Sequence, residues 1–164
     1  MSLRHNLGVK GGYRNVSVEE IPVDENTLTI EMVPATYEGV QQIASIDPYA
    51  LQQMETTAGT MSVKFEPYGD TGNMVACTDT VGSILVRGVE FTKKTRSLTI
   101  CSMGTGRIEV RENHPEGNLV AIIDADSAEM SETKVRLAAS PASVTDLCFL
   151  FKGAELKIDS WQFR

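Results

Sequence analysis

Side chains that could act as acids, bases or nucleophiles are sparse and widely separated in this sequence. His5 and His114 are the only two histidines, and no serine or cysteine lies in a nucleophile elbow from which a triad could be assembled. The Gly104-Thr105-Gly106 segment has too few glycines for a phosphate-binding loop and no predicted helix after it, so we interpret it as a hairpin turn. We therefore expect no catalysis by this chain.

Three cysteines, Cys77, Cys101 and Cys148, lie far apart in apolar segments. An odd number without a close pair is typical neither of a disulfide framework nor of a zinc site. We interpret all three as buried free thiols that pack as small hydrophobic groups.

Oxygen-bearing side chains offer a second kind of chemistry, the binding of a hard cation. Gln53 and Glu55 are two residues apart in a predicted strand, so their side chains are expected on one face. Asp159 follows Ile158 in the last apolar segment, where an unpaired carboxylate would be costly to bury. Calcium takes about six to eight oxygen ligands, which makes these residues candidates. The alternative is an aspartate hydrogen-bonded to backbone amides near the chain end.

Charge and hydropathy limit the possible partners. Acidic residues outnumber basic ones by 22 to 15 in 164 residues, which gives a formal net charge of −7. The sequence shows no basic patch, so we expect neither nucleic acid nor a membrane surface as a partner. The longest apolar run, 147–151, is far short of a membrane span, and residues 1–12 lack the apolar region of a signal peptide.

Apolar residues recur with a period of two in many short segments. Turn-forming residues separate the segments, most clearly at 67–70 and 112–118. Short strands at regular intervals predict an all-β sandwich or barrel. The alternating segments after residue 60 are 61–65, 74–77, 84–91, 98–101, 107–110, 119–124, 133–137, 146–151 and 156–163.

The organisation differs between the two ends of the chain. Residues 13–33 predict a β-hairpin that turns at Asp24–Asn26, and a less regular segment follows. We therefore divide the chain into a hairpin and linker, 1–47, and a β-sandwich, 48–164. A lone hairpin is marginally stable in water, so the first part should dock on the sandwich or belong to something larger.

A series of motifs in the second part follows the order seen in one known family. GRIEVR at 106–111 leads through a glycine-containing turn into a second strand, and VTDLCFLFKG at 144–153 and LKIDSWQF at 156–163 follow. GVEF at 88–91 and QMET at 53–56 precede them. Residues from about 48 to 164 thus resemble the family 6 carbohydrate-binding modules. The resemblance implies a jelly-roll β-sandwich, in agreement with the strand pattern.

The same resemblance implies a structural calcium ion. Family 6 modules commonly hold one with two side chains of an E-x-E strand and an acid of the final strand. Gln53, Glu55 and Asp159 match those positions, and Gln53 supplies an amide oxygen in place of the first acid.

The resemblance also implies a sugar cleft, which commonly holds one ring between a tyrosine and a tryptophan. Those positions fall on Cys77 and Met130, and the family's binding asparagine falls near Ala154 and Glu155. Tyr68, in a loop with proline and glycine, is the aromatic residue expected near that edge, unless it packs locally as a turn residue. The candidate sugar-binding residues are Tyr68, Cys77, Met130 and Glu155, and the three departures predict weak binding.

The first part has a resemblance of its own. YRNVSV at 13–18, followed by an aspartate-containing turn, is similar to the last strands of family 43 glycoside hydrolase catalytic domains. TYEGV at 36–40 and DPY at 47–49 resemble the joint between such a propeller and its module. This implies that the chain is the C-terminal part of an arabinofuranosidase, xylosidase or xylanase whose catalytic carboxylates lie upstream.

Two functions are therefore expected. The first is a non-catalytic module that binds plant xylan or arabinoxylan for an attached glycoside hydrolase, located outside the cell or in the cell envelope if the parent is secreted. The alternative is a degenerate structural module that packs on the catalytic domain and binds no sugar. A third possibility is that the broad face of the sandwich binds a polysaccharide chain.

Overall fold

The computed structural model describes residues 2–5, 14–17, 21–24, 26–27, 29–30, 32–33, 44–69 and 72–164. The chain divides into two compact units, Met1–Ile43 and Ala44–Arg164. The segment 36–40 and the turn residue Glu25 lie outside the described residues. The interpretation of 1–47 as the end of a propeller stays a prediction.

The described residues of the first unit form two short pairs of antiparallel strands rather than the single hairpin expected over 13–33. β1 pairs with β2, and β3 pairs with β4. The second hairpin turns where predicted, since Oδ1 of Asp24 accepts hydrogen bonds from the amides of Asn26 and Thr27 at 2.8 and 3.3 Å. The strands are β1 Ser2–His5, β2 Arg14–Ser17, β3 Val23–Asp24 and β4 Thr29–Ile30.

The second unit contains nine strands, and none of the described residues forms a helix that could cross a membrane. The six segments with period two between 74 and 137 become four strands, because two pairs of neighbouring segments are continuous. The strands are β5 Gln52–Gln53, β6 Gly59–Met61, β7 Val63–Tyr68, β8 Gly72–Cys77, β9 Val81–Glu90, β10 Ser97–Glu112, β11 Leu119–Arg136, β12 Val144–Lys152 and β13 Lys157–Phe163.

These nine strands form one hydrogen-bonded sheet that folds over into two layers. Its order is β6-β9-β12-β10-β13-β8-β7, with β11 along the other edge of β10 and β5 along part of β13. The second half of β10 pairs with β12, whereas the first half pairs with β13. β10 and β11 therefore pass from one layer to the other, whereas β12 lies in one layer and β13 in the other. The predicted all-β jelly-roll sandwich is confirmed.

The Gly104-Thr105-Gly106 segment lies at the bend of β10, so the prediction of a hairpin turn there is wrong. β10 pairs with β11 on both sides of the bend. Gly104 has a φ of +95°, and a Cβ on it would lie 2.2 Å from the carbonyl oxygen of Glu155. Glycines that permit a turn also permit close backbone approach, and the sequence does not distinguish the two. We refer to residues 104–106 and the adjacent turn 153–156 as the corner.

Aromatic side chains join the two layers in the core. Phe149 of β12 packs on Trp161 of β13 with ring centroids 5.4 Å apart, and Trp161 meets the edge of Phe163 at 5.7 Å. All three are at most 1% exposed. Burial of each such side chain contributes about 1.5 to 3 kcal/mol.

The IEVR motif at 108–111 combines this core with a buried charge. Its two aliphatic residues are completely buried, and Glu109 between them points to the other face of the sheet. Glu109 forms an ion pair with Lys152 and accepts hydrogen bonds from Nε and Nη2 of Arg111 at 2.9 and 2.7 Å. Hydrogen bonds from Lys152 and then Arg111 lower the pKa of Glu109. The motif therefore stabilises both faces of β10.

Gly104→Ala should lower the free energy of unfolding by roughly 2 to 4 kcal/mol, because the new Cβ meets the Glu155 carbonyl and the φ is left-handed. Gly69→Ala is the matched control, since Gly69 also has a positive φ, +65°, but has nothing within 4 Å of its Cβ position. Its loss should be about 1 kcal/mol. Urea denaturation followed by Trp161 fluorescence measures both. Equal losses would contradict the role of the corner.

Candidate functional site

A cleft of about 420 Å³ opens between the corner and strands β7 and β8. The corner contributes Gly104 and residues 154–156, and Met103 and Ala128 flank it. β7, β8 and the start of β13 form the other wall. Among the described residues, no aromatic side chain lines this cleft, so it offers no flat surface on which a sugar ring could stack.

Glu66 bridges two lysines inside the cleft. Its Oε1 lies 2.7 Å from Nζ of Lys64, and its Oε2 lies 2.8 Å from Nζ of Lys157. Ala76 on β8 lies opposite both lysines in the strand register, and its small side chain separates them. Hydrogen bonds from Lys157 and then from Lys64 lower the pKa of Glu66 to about 2. The Glu66 carboxylate is therefore ionised at neutral pH, and we refer to Lys64, Glu66 and Lys157 as the Lys-Glu-Lys group.

Two of the four predicted sugar-binding residues line this cleft. Glu155 is exposed in the corner, and Cys77 is buried at the end of β8, where its Sγ donates to the carbonyl oxygen of Asp79 at 3.0 Å. The thiol of Cys77 is packed tightly, since a Cβ on Gly82 would lie 2.9 Å from it. Of these two, only Glu155 can present a polar group to a ligand without rearrangement.

The other two predicted residues, Tyr68 and Met130, do not line the cleft. Tyr68 ends β7 and is 39% exposed, so its placement as an exposed aromatic is as expected. Met130 belongs to a three-residue excursion of β11, 128–130, that lies opposite the single residue Met103. The excursion accommodates the bend of β10, and it brings Ala128 rather than Met130 to the cleft.

Sequence reasoning missed the Lys-Glu-Lys group. Lys64 and Glu66 are two apart on one strand, which is a visible signal for a shared face. Lys157, however, is 91 residues from Glu66 in the chain, and only the pairing of β8 with β13 brings it there. Charged residues in alternating strands are usually solvated, so the sequence offered no reason to connect them.

The three predicted oxygen ligands belong to β5, the turn after it and β13, which pair with one another through their main chains. Gln53 pairs with Ser160, and the amide of Met54 donates to the carbonyl oxygen of Asp159 at 2.8 Å. Asp159 is the extra residue of a β-bulge, because its two neighbours pair with consecutive residues of β10. The bulge, which the sequence did not indicate, redirects the side chain of Asp159.

Glu55 carries an unsatisfied oxygen. Glu55 lies in a turn closed by a hydrogen bond from the Thr56 amide to the Gln53 carbonyl oxygen at 3.1 Å. The prediction that Gln53 and Glu55 share one strand is therefore wrong. Completely buried Met54 anchors that turn. Oε1 of Glu55 accepts from the amide of Asn73 at 3.2 Å, whereas Oε2 is buried without a hydrogen-bond partner among the described residues.

This donor set has the chemistry of a calcium site, which a buried carboxylate oxygen without a donor would suit. Within the described part of the chain, no group of three histidine, cysteine, aspartate or glutamate side chains could hold a metal. An ion held by Gln53, Glu55 and Asp159 would therefore use amide or main-chain oxygens as well as the two carboxylates.

The cysteines are free thiols in the described residues. Cys77 and Cys148 are buried, as predicted, and Cys101 is half-buried. Desolvation raises the pKa of Cys101 and Cys148, so both thiols are protonated at neutral pH.

Comparison with known proteins gives this site a context. No protein-family model matches the chain. The sequence is 28% identical over 172 residues to an arabinoxylan arabinofuranohydrolase of Bacillus subtilis, covering 96% of this chain and 33% of that relative. The chain is similar in sequence to arabinoxylan arabinofuranohydrolases. It spans about a third of their length.

Two solved structures share the fold. A glycoside hydrolase family 43 arabinoxylan arabinofuranohydrolase from Bacillus subtilis, in complex with cellotetraose, matches 96% of this chain and 35% of its own with a TM-score of 0.82 and 26% identity. A family 6 carbohydrate-binding module from Clostridium stercorarium, in complex with cellobiose, matches 74% of this chain and 98% of its own with a TM-score of 0.68 and 17% identity. The sandwich thus has the fold of the family 6 carbohydrate-binding modules.

The Glu66 carboxylate should titrate near pH 2 rather than near its ordinary 4.5. The folded state favours the ionised form of Glu66. The contribution of Glu66 to the free energy of unfolding is therefore complete above about pH 4.5 and is lost as the pH falls through about 2. Lys157→Met should raise the pKa of Glu66 more than Lys64→Met does. An NMR titration of ¹³C-labelled glutamate measures this, and a Glu66 pKa near 4.5 in the unaltered protein would contradict the Lys-Glu-Lys group.

Proposed function

We propose that this chain is a non-catalytic carbohydrate-binding-type module of a glycoside hydrolase that degrades xylan or arabinoxylan. The observation that carries the proposal is the similarity to arabinoxylan arabinofuranohydrolases over 96% of the chain, which includes both compact units. The family 6 fold of the sandwich supports the binding role. Bond cleavage is assigned to the remainder of the parent enzyme. Acid–base catalysis needs two carboxylates, and the described residues of the cleft do not offer two that are free of ion pairs.

The first unit is proposed to be the end of a family 43 catalytic domain in the same parent chain. Its described apolar side chains support this, because four are more than half exposed and would be covered by further strands of a larger domain. They are Ile21, Val23, Ile30 and Met32. The parent is proposed to act outside the cell or in the cell envelope, where such polysaccharides occur.

A structural module without sugar affinity is the second candidate, and the composition of the cleft favours it. No described aromatic residue lines the cleft, and the lysines that could contact hydroxyl groups are already paired with Glu66. Without stacking, little net free energy remains after the cost of ordering a sugar.

Gel electrophoresis in the presence of soluble arabinoxylan distinguishes the two candidates. The unaltered protein should be weakly retarded and should release no arabinose. Ala128→Trp should strengthen retardation about fivefold to tenfold, because Ala128 is exposed in the cleft and the new ring can stack on a sugar. Cys77→Tyr is unsuitable, since the thiol is buried beside Gly82.

Ala58→Trp is the matched control, because Ala58 is an exposed alanine outside the cleft lining. It should migrate as the unaltered protein does. No retardation of any of these proteins would favour the structural module, and arabinose release would contradict the non-catalytic role.

We also propose a structural calcium ion at the β5–β13 contact, held by Gln53, Glu55 and Asp159. The unsatisfied Oε2 of Glu55 and the bulged position of Asp159 support this. The ion would neutralise the two carboxylates and tie the turn after β5 to the last strand.

Calcium at about a hundred times its Kd should add about 2.7 kcal/mol of stability and raise the Tm by roughly 5 to 10 °C relative to chelator. Glu55→Gln and Asp159→Ala should each abolish that difference. Glu116→Gln is the control, since Glu116 is exposed in the turn between β10 and β11. Equal melting of the unaltered protein in calcium and in chelator would reject the site.

A further inference from the structure

Cations of the sandwich fall into two groups. Of the twelve described lysine and arginine side chains in residues 44–164, six form ion pairs with carboxylates. The other six form no ion pair with any described residue, and all are exposed. These six are Lys93, Lys94, Arg96, Lys134, Arg136 and Arg164.

The fold gathers the unpaired cations at one end of the sandwich, although three separate segments supply them. The amide of Arg96 donates to the carbonyl oxygen of Arg164 at 2.8 Å, and the amide of Leu137 donates to the carbonyl oxygen of Arg96 at 3.0 Å. Ser97, next to Arg96, pairs with Arg136. The loop before β10, the end of β11 and the last residue therefore meet, which creates a basic end that the sequence did not reveal.

This basic end contains a groove of about 480 Å³. Lys94, Arg96 and Arg136 supply its charged walls, and residues 137–140 supply the rest. The groove is separate from the cleft at the corner, because eight residues of extended β10 from Arg96 to Gly104 span roughly 26 Å. Glu132, on the same exposed face of β11 as Lys134 and Arg136, limits the basic end on one side.

The composition of the groove favours a carboxylate on a polar polymer over a protein surface. A guanidinium group matches a carboxylate with two parallel hydrogen bonds, and the groove contains two such groups. Stable protein interfaces need large apolar anchors, and none of the exposed large apolar side chains among the described residues lines the groove. Its volume accommodates a sugar residue or two.

We propose that this groove binds the uronic acid groups of an acidic polysaccharide, through Arg96 and Arg136 with Lys94 beside them. The inference rests on the proposed carbohydrate-binding function and adds a substrate class to it. Attraction by unpaired cations would add to the weak polymer binding expected of the cleft, which lacks a stacking surface.

Affinity electrophoresis with glucuronic-acid-substituted xylan tests this, with the same xylan after reduction of its carboxyl groups as the matched polymer. The acidic xylan should bind at least about tenfold more tightly than the reduced one, and the difference should shrink between about 20 and 200 mM sodium chloride. The double variant Arg96→Gln/Arg136→Gln should lose that difference while its Tm stays unchanged.

Arg87→Gln/Arg107→Gln is the control double variant, because it removes the same charge from two exposed arginines that are paired with Asp146 and Asp124. This variant should still bind the acidic xylan more tightly than the reduced one. The proposal would be overturned if the unaltered protein bound acidic and reduced xylan equally well, or if both double variants lost the preference for acidic xylan equally. Binding of duplex DNA as tight as that of acidic xylan would also overturn it. The proposed carbohydrate-binding function has a different test result, because its failure would be seen as an absence of binding to neutral arabinoxylan.

Discussion

The close contact between the bend of β10 and the β12–β13 turn is the constraint on which the rest of this structure depends. A single sheet can bury its apolar face only if it folds over, and here β10 and β11 pass between the layers where the turn joins β12 of one layer to β13 of the other. The backbone atoms approach so closely that glycine is required at 104. The pairing of Phe149 with Trp161 across the layers follows from that geometry.

The corner also determines the chemistry of the cleft beside it. It holds Glu155 at the surface and brings Lys157, the first residue of β13, next to β7 and β8. β11 accommodates the bend by its excursion, which leaves Ala128 at the cleft. The result is a polar cleft with internally paired charges beside the middle of β10, whereas the unpaired cations lie where β10 begins.

The sequence predicted the parts of this structure that depend on local pattern. Alternation of apolar residues located the strands, and the turn at 113–118 between β10 and β11 was recognised from its composition. Gly104 was misassigned, because a glycine signals an unusual backbone and not the reason for it. The basic end and the contact between Glu66 and Lys157 were missed for a different reason, since each joins residues that only tertiary pairing brings together. The bulge at Asp159 was not predicted either, because it depends on how β13 pairs with β10.

Native-state hydrogen exchange tests most directly whether the corner joins both layers and the cleft into one cooperative unit. The amide of Cys77 in the cleft wall donates to the carbonyl oxygen of Leu156 at 2.9 Å, and amides of β12 and β13 report on the two layers. We expect the amides of Cys77, β12 and β13 to exchange with the same free energy, equal to that of global unfolding. Exchange of one layer or of the Cys77 amide at a clearly lower free energy, while the other layer stays protected, would contradict it.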